Sequence, residues 1–244
     1  MKKILLVETK LLAREFQIVL FALALPVSLL VVLGQIPALR KADPNLGGER
    51  FIDAQLPAQM ILLALLTTAF TVLPGAMAAY REQGVLRRMS TTPMHPARLL
   101  GAQLLLNLAI VVVSAVVVIF TGWLVLGSQI PQQVFGFLLV YLLGTAAMLA
   151  LGLVIASVAP NSKAAPGIGS LVMFPLLFVA GMWIPREIMP DTLRTISDYS
   201  VVGPFVNAMR DTWAGDWPQL PHLAVMVAGL VLFSGLAVRL FKWE

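Results

Sequence analysis

"YREQGVLRRMSTTPMHPARLL", Tyr80 to Leu100, is a compact basic segment between two of the most apolar runs in the chain. Those flanking runs decide the fold. Ala54–Tyr80 contains no Asp, Glu, Lys or Arg, and Leu99–Ser162 is free of them for 64 residues. A membrane-spanning helix needs about 20 apolar residues. The first run therefore fits one span, and the second must hold two. It breaks at "GSQIPQQ", Gly127–Gln133, where Gly, Pro and three Gln cluster. Three more uncharged windows, Phe16–Leu39, Ala164–Pro185 and Trp217–Val238, bring the total to six helices. Their expected bounds are 16–36, 57–80, 102–126, 133–157, 165–184 and 222–240. The expected fold is an all-α integral membrane protein, one transmembrane domain over residues 1–244. Composition agrees, with 59% of the 244 residues hydrophobic and 12% charged. That is about half the charge of a soluble domain. So much apolar surface cannot be buried in one soluble core, and membrane lipid must solvate most of it.

An even number of spans places both termini on one side, and basic residues identify that side as cytoplasmic. The face with the termini carries eleven Lys and Arg against four acidic residues, and the other face six against eight. The faces thus have net charges of +7 and −2, within a total of +5. The expected location is the inner membrane of a bacterium, with the Tyr80–Leu100 segment facing inward. The positive charge therefore follows membrane topology and does not point to nucleic acid. The first 15 residues read as an amphipathic helix on the inner leaflet. Leu5, Leu12 and Phe16 form its apolar strip, with Lys3, Lys10 and Arg14 opposite. A cleaved signal peptide is the alternative, but the 24-residue uncharged run exceeds a signal core of about 7–15 residues.

Several chemistries lack raw material. There is no Cys, which excludes disulfides and Cys-based zinc sites. The two His are far apart, His95 and His222, and no Asp, Glu, Lys, Arg or His lies in the interior of an expected span. A metal centre, a proton relay or an intramembrane protease has no ligands or acid–base pair to use. None of the six Lys follows a Gly, so no phosphate-binding loop of the GxxxxGK[ST] type exists. The chain is expected to be non-catalytic, with no cofactor of its own. Within the spans, Thr67, Thr68 and Thr71 neighbour one another, as do Tyr141 and Thr145, and Asn107 and Ser114. They either join helices or line a path. Phe174 and Phe178, beside Pro175, are candidates for the same path. Pro26, Pro74 and Pro175 bend their helices, and Gly152 with Ala156 forms a small-xxx-small contact pair.

The basic segment has a mechanical reading. Arg81 and Glu82 leave the membrane, Gly84 permits a sharp turn, and "VLRRMSTTP" can form a short amphipathic helix. Val85, Leu86 and Met89 share one side, with Arg87 and Arg88 towards water, and Thr92 before Pro93 ends it. A soluble partner gripping this lever would move two spans together. The plain alternative is a solvated basic loop.

The residues "REQGVLRRMSTTPMHPARLLGAQLL" resemble the signature of the ABC-2 family of transporter permeases. In that family an acidic residue, a Gly and Leu-Arg lead to a Thr-Pro step. "GMWIPREIMPDTLRTISDYSVVGPFVNAMRDTWAG", Gly181–Gly215, is similar to the family's outer segment between the last two spans. Gln83 and Val85 vary around the signature, and the order of segments is intact. The resemblance implies that Arg81–Pro93 contains a coupling helix docking on a separate ATP-binding subunit. ATP and Mg would reside on that subunit. It also implies a second permease copy, a homodimer around a central path, and export of drugs, lipids or glycans. Apolar helices with few hydroxyls favour a hydrophobic or amphipathic cargo. A glycan exporter, or an assembly factor that does not transport, is the alternative. The outer segment would form a short re-entrant helical pair, acting as a gate through Tyr199, Phe205 and Met209 or as an interfacial anchor.

Overall fold

The computed structural model describes residues 16–42, 48, 50–53, 55–84, 97–184 and 189–240. The expected helix over 1–15, and Val85, Leu86, Arg87, Arg88, Met89, Thr92 and Pro93, lie outside the described residues. The described residues are helical with no strand, apart from one isolated bridge between Ala42 and Arg50.

Among the described residues, eight α-helices follow one another: α1 (Phe16–Gly34), α2 (Gln55–Glu82), α3 (Ala97–Thr121, continued by Gly122–Leu126), α4 (Val134–Val158), α5 (Ala164–Val179), α6 (Asp191–Tyr199), α7 (Val202–Ala214) and α8 (Leu220–Leu240). Among the described residues, α2, α3, α4 and α8 are long and apolar enough to cross a membrane. α1 and α5 are shorter apolar helices. Large apolar residues on α3 (Val112, Val116, Phe120 and Leu124 among them) and on α8 (Val231 and Val238 among them) face outward. Such faces would drive association in water, and they identify the surface meant for lipid.

Two expected bounds shift for identifiable reasons. α5 stops at Val179 rather than continuing to residue 184, because Gly181 takes a left-handed conformation with φ 84°. The Gly181 amide then donates to the Phe178 carbonyl at 3.1 Å, and the Met182 amide to that of Leu177 at 3.2 Å. This is a Schellman ending, which satisfies the last carbonyls of the helix. α3 is entered by residue 97, five positions before its expected start, since a charged residue ends an apolar window without ending a helix.

α2 is the central helix. Of its most apolar stretch 72% is buried, against 17% for α8. It is not a uniform α-helix, because Thr68–Val72 forms a π-turn. Pro74 has no amide to offer the Phe70 carbonyl, and the Leu73 amide donates to Thr68 instead of Ala69. Two carbonyls, those of Ala69 and Phe70, are therefore released from the helix ladder. Glycines on neighbouring helices come up against them: a Cβ at Gly152 on α4 would overlap the Ala69 oxygen, and one at Gly169 on α5 the Phe70 oxygen. Close approach of backbone to backbone at helix interfaces supports Cα–H···O contacts. The small residue of the Gly152–Ala156 pair thus meets α2.

α6 and α7 form a hairpin in which α7 is largely buried, whereas Ser197 is the one buried residue of α6. The turn residues Tyr199, Ser200, Val201 and Val202 border a cavity of about 320 Å³ together with Met148 and Gly229, near the middles of α4 and α8. At its other end, α7 meets the α3–α4 connection. Trp213 Nε1 donates to the Gln129 carbonyl at 2.9 Å, and the Gln133 amide to that of Thr212 at 3.0 Å. Aromatic packing fixes α7 on α4. Phe137 lies 5.4 Å from Trp213 edge-on and 5.8 Å from Tyr141 in a stack, and Tyr141 is 6.5 Å from Phe205.

Candidate functional site

The end of α2 is a junction. Gly84 has φ 65°, the left-handed conformation expected from its place after the last helical turn, and its amide donates to the Arg81 carbonyl at 3.1 Å. Just before it, three consecutive residues bind three other elements. Tyr80 accepts from Gln103 Nε2 at 3.0 Å, which ties α2 to the first part of α3. Arg81 donates from its guanidinium to the carbonyl of Ala159, directly after α4. Glu82 accepts the Ser162 hydroxyl at 2.5 Å, in the turn joining α4 to α5.

That turn is itself rigidly joined to α5. Asn161 Oδ1 accepts the Ala164 amide at 2.7 Å, and its carbonyl accepts the Ala165 amide at 3.0 Å. An Asn side chain satisfying an otherwise orphaned amide at a helix start stabilises that start by about 1 kcal/mol. A displacement of Arg81 and Glu82 therefore reaches α3, α4 and α5 through hydrogen bonds. Arg81, Glu82 and Gly84 are the members of the expected coupling set that the structure describes.

The other expected site residues are not gathered at one place. The Thr67 hydroxyl donates to Leu63 at 2.7 Å, that of Thr68 to Ala64 at 2.9 Å, and that of Thr71 to Thr67 at 2.5 Å, all along their own helix. Such bonds occupy the hydroxyls and favour bending, which suits their place beside the π-turn. Thr67 also touches α5, with its oxygen 4.0 Å from Met173 Sδ. Phe174, the next residue, is exposed. Phe178 stacks on Trp183 with ring centroids 6.5 Å apart. The outer trio divides as well. Phe205 and Met209 are fully buried, with Phe205 seated on Gly144, while Tyr199 is 79% exposed.

Residues 3–213 match the family described as "ABC-2 type transporter". The chain belongs to that family. Two curated relatives agree with this assignment. YvfS of Bacillus subtilis (strain 168), described as a transport permease, is 24% identical over 233 residues, covering 94% of this chain and 92% of the relative. The daunorubicin resistance ABC transporter permease protein DrrB1 of Streptomyces coeruleorubidus is 24% identical over 208 residues, covering 80% and 70%. No solved structure matches the chain.

As an ABC-2 permease, the chain is a multi-pass membrane transport subunit, and membership implies a partner that carries the ATPase. In this permease, sequence reasoning missed the receiving half of the junction. Asn161 and Ser162 stand in "APNSK", a Pro-punctuated turn with an Asn, which is the ordinary signal of a helix start. Nothing in that signal says which distant side chain the turn binds. Sequence reasoning also missed a brace on the opposite side of the bundle. Arg50 forms two 2.8 Å bonds to Asp53 and a 3.2 Å bond to the Gly127 carbonyl, joining the α1–α2 and α3–α4 connections.

Proposed function

We propose that this chain is the permease subunit of an ATP-driven exporter, moved by a separate ATP-binding chain that grips the segment 85–93. The observation that carries this reading is the junction at Arg81 and Glu82. Force applied just beyond Gly84 meets three helices bonded to one helix end. A solvated loop needs no such bracing. α1, α2, α3, α4, α5 and α8 are read as six spans, with both termini and the junction facing the cytoplasm of a bacterial cell. α6 and α7 are read as a re-entrant pair entering from the outside. Their central turn at the level of Met148 and Gly229, and the attachment of α7 to Gln129 and Gln133, support that reading.

Two such chains would enclose the path. The cargo is hydrophobic or amphipathic, in the class of drugs, antibiotics or lipid-like molecules. The apolar helix surfaces support this, as does daunorubicin resistance in the name of one relative. The experiment is to co-purify the permease with its ATP-binding chain and reconstitute both in vesicles. Reversal of charge in an Arg87→Glu, Arg88→Glu double variant should abolish cargo-stimulated ATP hydrolysis while membrane insertion persists. Undiminished stimulation, or absence of any ATP-binding chain from the purified complex, would refute the reading.

A further inference from the structure

On the side of the bundle away from α5, three helices diverge. α4 lies along α8, whereas α3 leans on α1 and α2. A hydrogen bond from the Tyr141 hydroxyl to the Val111 carbonyl joins α3 to α4 near mid-length. Between that bond and the helix ends near Ala97, Val158 and Leu240, the three helices enclose a cleft of about 420 Å³. Leu104 and Leu108 form one wall, Leu142 and Leu149 another, and Ala146 and Ala150 leave the space between. Among the described residues, Thr145 and Ser234 supply its only polar linings, too few to hold a polar cargo.

We infer that this cleft takes one acyl chain of an anionic phospholipid from the inner leaflet. Its volume is at the lower end of the range of about 300–1,000 Å³ typical of ligand cavities. A helix from a second copy, about 10–12 Å across with its side chains, would need more room along these helices than about 420 Å³. The charge at the mouth selects the lipid. Val238 borders the cleft and is followed by the exposed Arg239 in the last turn of α8, while Arg98 occupies the first turn of α3. The stretches 97–108, 142–158 and 230–240 contain no acidic residue. Basic residues at the cytoplasmic mouth of an interhelical pocket favour anionic headgroups. The chain thus holds its lipid by an apolar slot with the exposed Arg239 next to its bordering Val238. The leaflet assignment rests on the orientation proposed above.

The test measures lipid retained by the purified, full-length permease from equimolar phosphatidylglycerol and phosphatidylcholine, by native mass spectrometry. The expected result is phosphatidylglycerol bound several-fold over phosphatidylcholine. Ala146→Phe, which fills the cleft, should lower retention of both lipids several-fold, and Ala150→Leu provides a second filling variant should the first not fold. The double variant Arg98→Gln, Arg239→Gln should bring the two lipids to parity. Equal retention by the unsubstituted chain, or undiminished preference in the double variant, would overturn the inference. Because the chain has no Cys, a Leu142→Cys variant carries a single thiol. A disulfide between two copies through it would put a protein partner in the cleft and overturn the inference as well. Orientation is read separately, by labelling Arg87→Cys in intact cells with a membrane-impermeant reagent. Labelling from outside would reverse the leaflet without touching the retention result.

Discussion

Arg81 and Ala159 stand 78 positions apart in sequence, and the guanidinium of the first donates to the carbonyl of the second. With Glu82 on Ser162 beside it, this bond makes the end of α2 and the α4–α5 turn one mechanical body. Arg81→Ala should therefore loosen the body without unfolding the bundle. A hydrogen bond to a charged group contributes about 1.5–3 kcal/mol, and partial exposure of Arg81 places it at the low end. The expected outcome is a several-fold loss of transport at nearly unchanged membrane insertion, with Ser162→Ala acting in the same direction. Transport assays in vesicles paired with thermal unfolding separate the two effects.

The glycines that face the π-turn give a sharper test. Gly152→Ala and Gly169→Ala place a methyl group where the Ala69 and Phe70 carbonyls already lie. Overpacking of this kind costs about 1–3 kcal/mol. Gly167 and Gly235 are helical with open space at the Cβ position. Alanine at either should be neutral or stabilise by about 0.5–1 kcal/mol. Detergent-solubilised melting temperatures for the four variants check the contrast, which fails if all four behave alike.

Asp53 is 5% exposed, and its two oxygens are held by Arg50. Removing only the cation leaves a buried carboxylate without its partner. Because the Arg50 side chain is 40% exposed, water recovers part of that cost. Arg50→Ala should destabilise by about 1–2 kcal/mol, of the order of a lost charged hydrogen bond. Arg50→Ala combined with Asp53→Ala should cost less than the two single changes added together. A double-mutant cycle on unfolding temperature measures the coupling.

Phe205 and Tyr199 should part company when each is replaced by Ala. Phe205 is buried against Gly144 and beside Tyr141, and deleting such a ring costs about 3–5 kcal/mol. Tyr199→Ala removes an exposed ring and should leave stability unchanged. If the α6–α7 hairpin gates the path, the Tyr199 variant alters transport rate while remaining fully folded. Stability and transport measured on the same preparations decide between gate and anchor.

Much of the architecture was legible in the charge-free windows, because lipid demands long apolar helices whatever their neighbours. The bounds of α2, α4 and α8 lie within two residues of the expected spans. α5 was misjudged at its end, where Gly181 stops the helix and the apolar Met182, Trp183 and Ile184 continue the hydrophobic pattern without it. Hydropathy registers solvent, and backbone conformation is a separate variable. The site was legible on one side only. Arg81, Glu82 and Gly84 stood out as charges and a glycine beside an apolar run. Ala159 contributes a backbone carbonyl, which leaves no trace in residue type, and Ser162 is one serine in an ordinary turn. The threonines of α2 read equally well as lining or as helix bonds, since a hydroxyl's partner depends on a bend the sequence marks only through Pro74.

The π-turn in α2 bears on how motion divides within the molecule. With the Ala69 and Phe70 carbonyls released from the ladder, the rod is weakest across one cross-section, level with Gly152 and Gly169. Rotation of the portion that ends at Glu82 is then not obliged to reach the portion that begins at Gln55. We expect it to pass sideways instead, to the two neighbours pressed against those oxygens, so that the Gln55 portion would serve as the still post of any such movement.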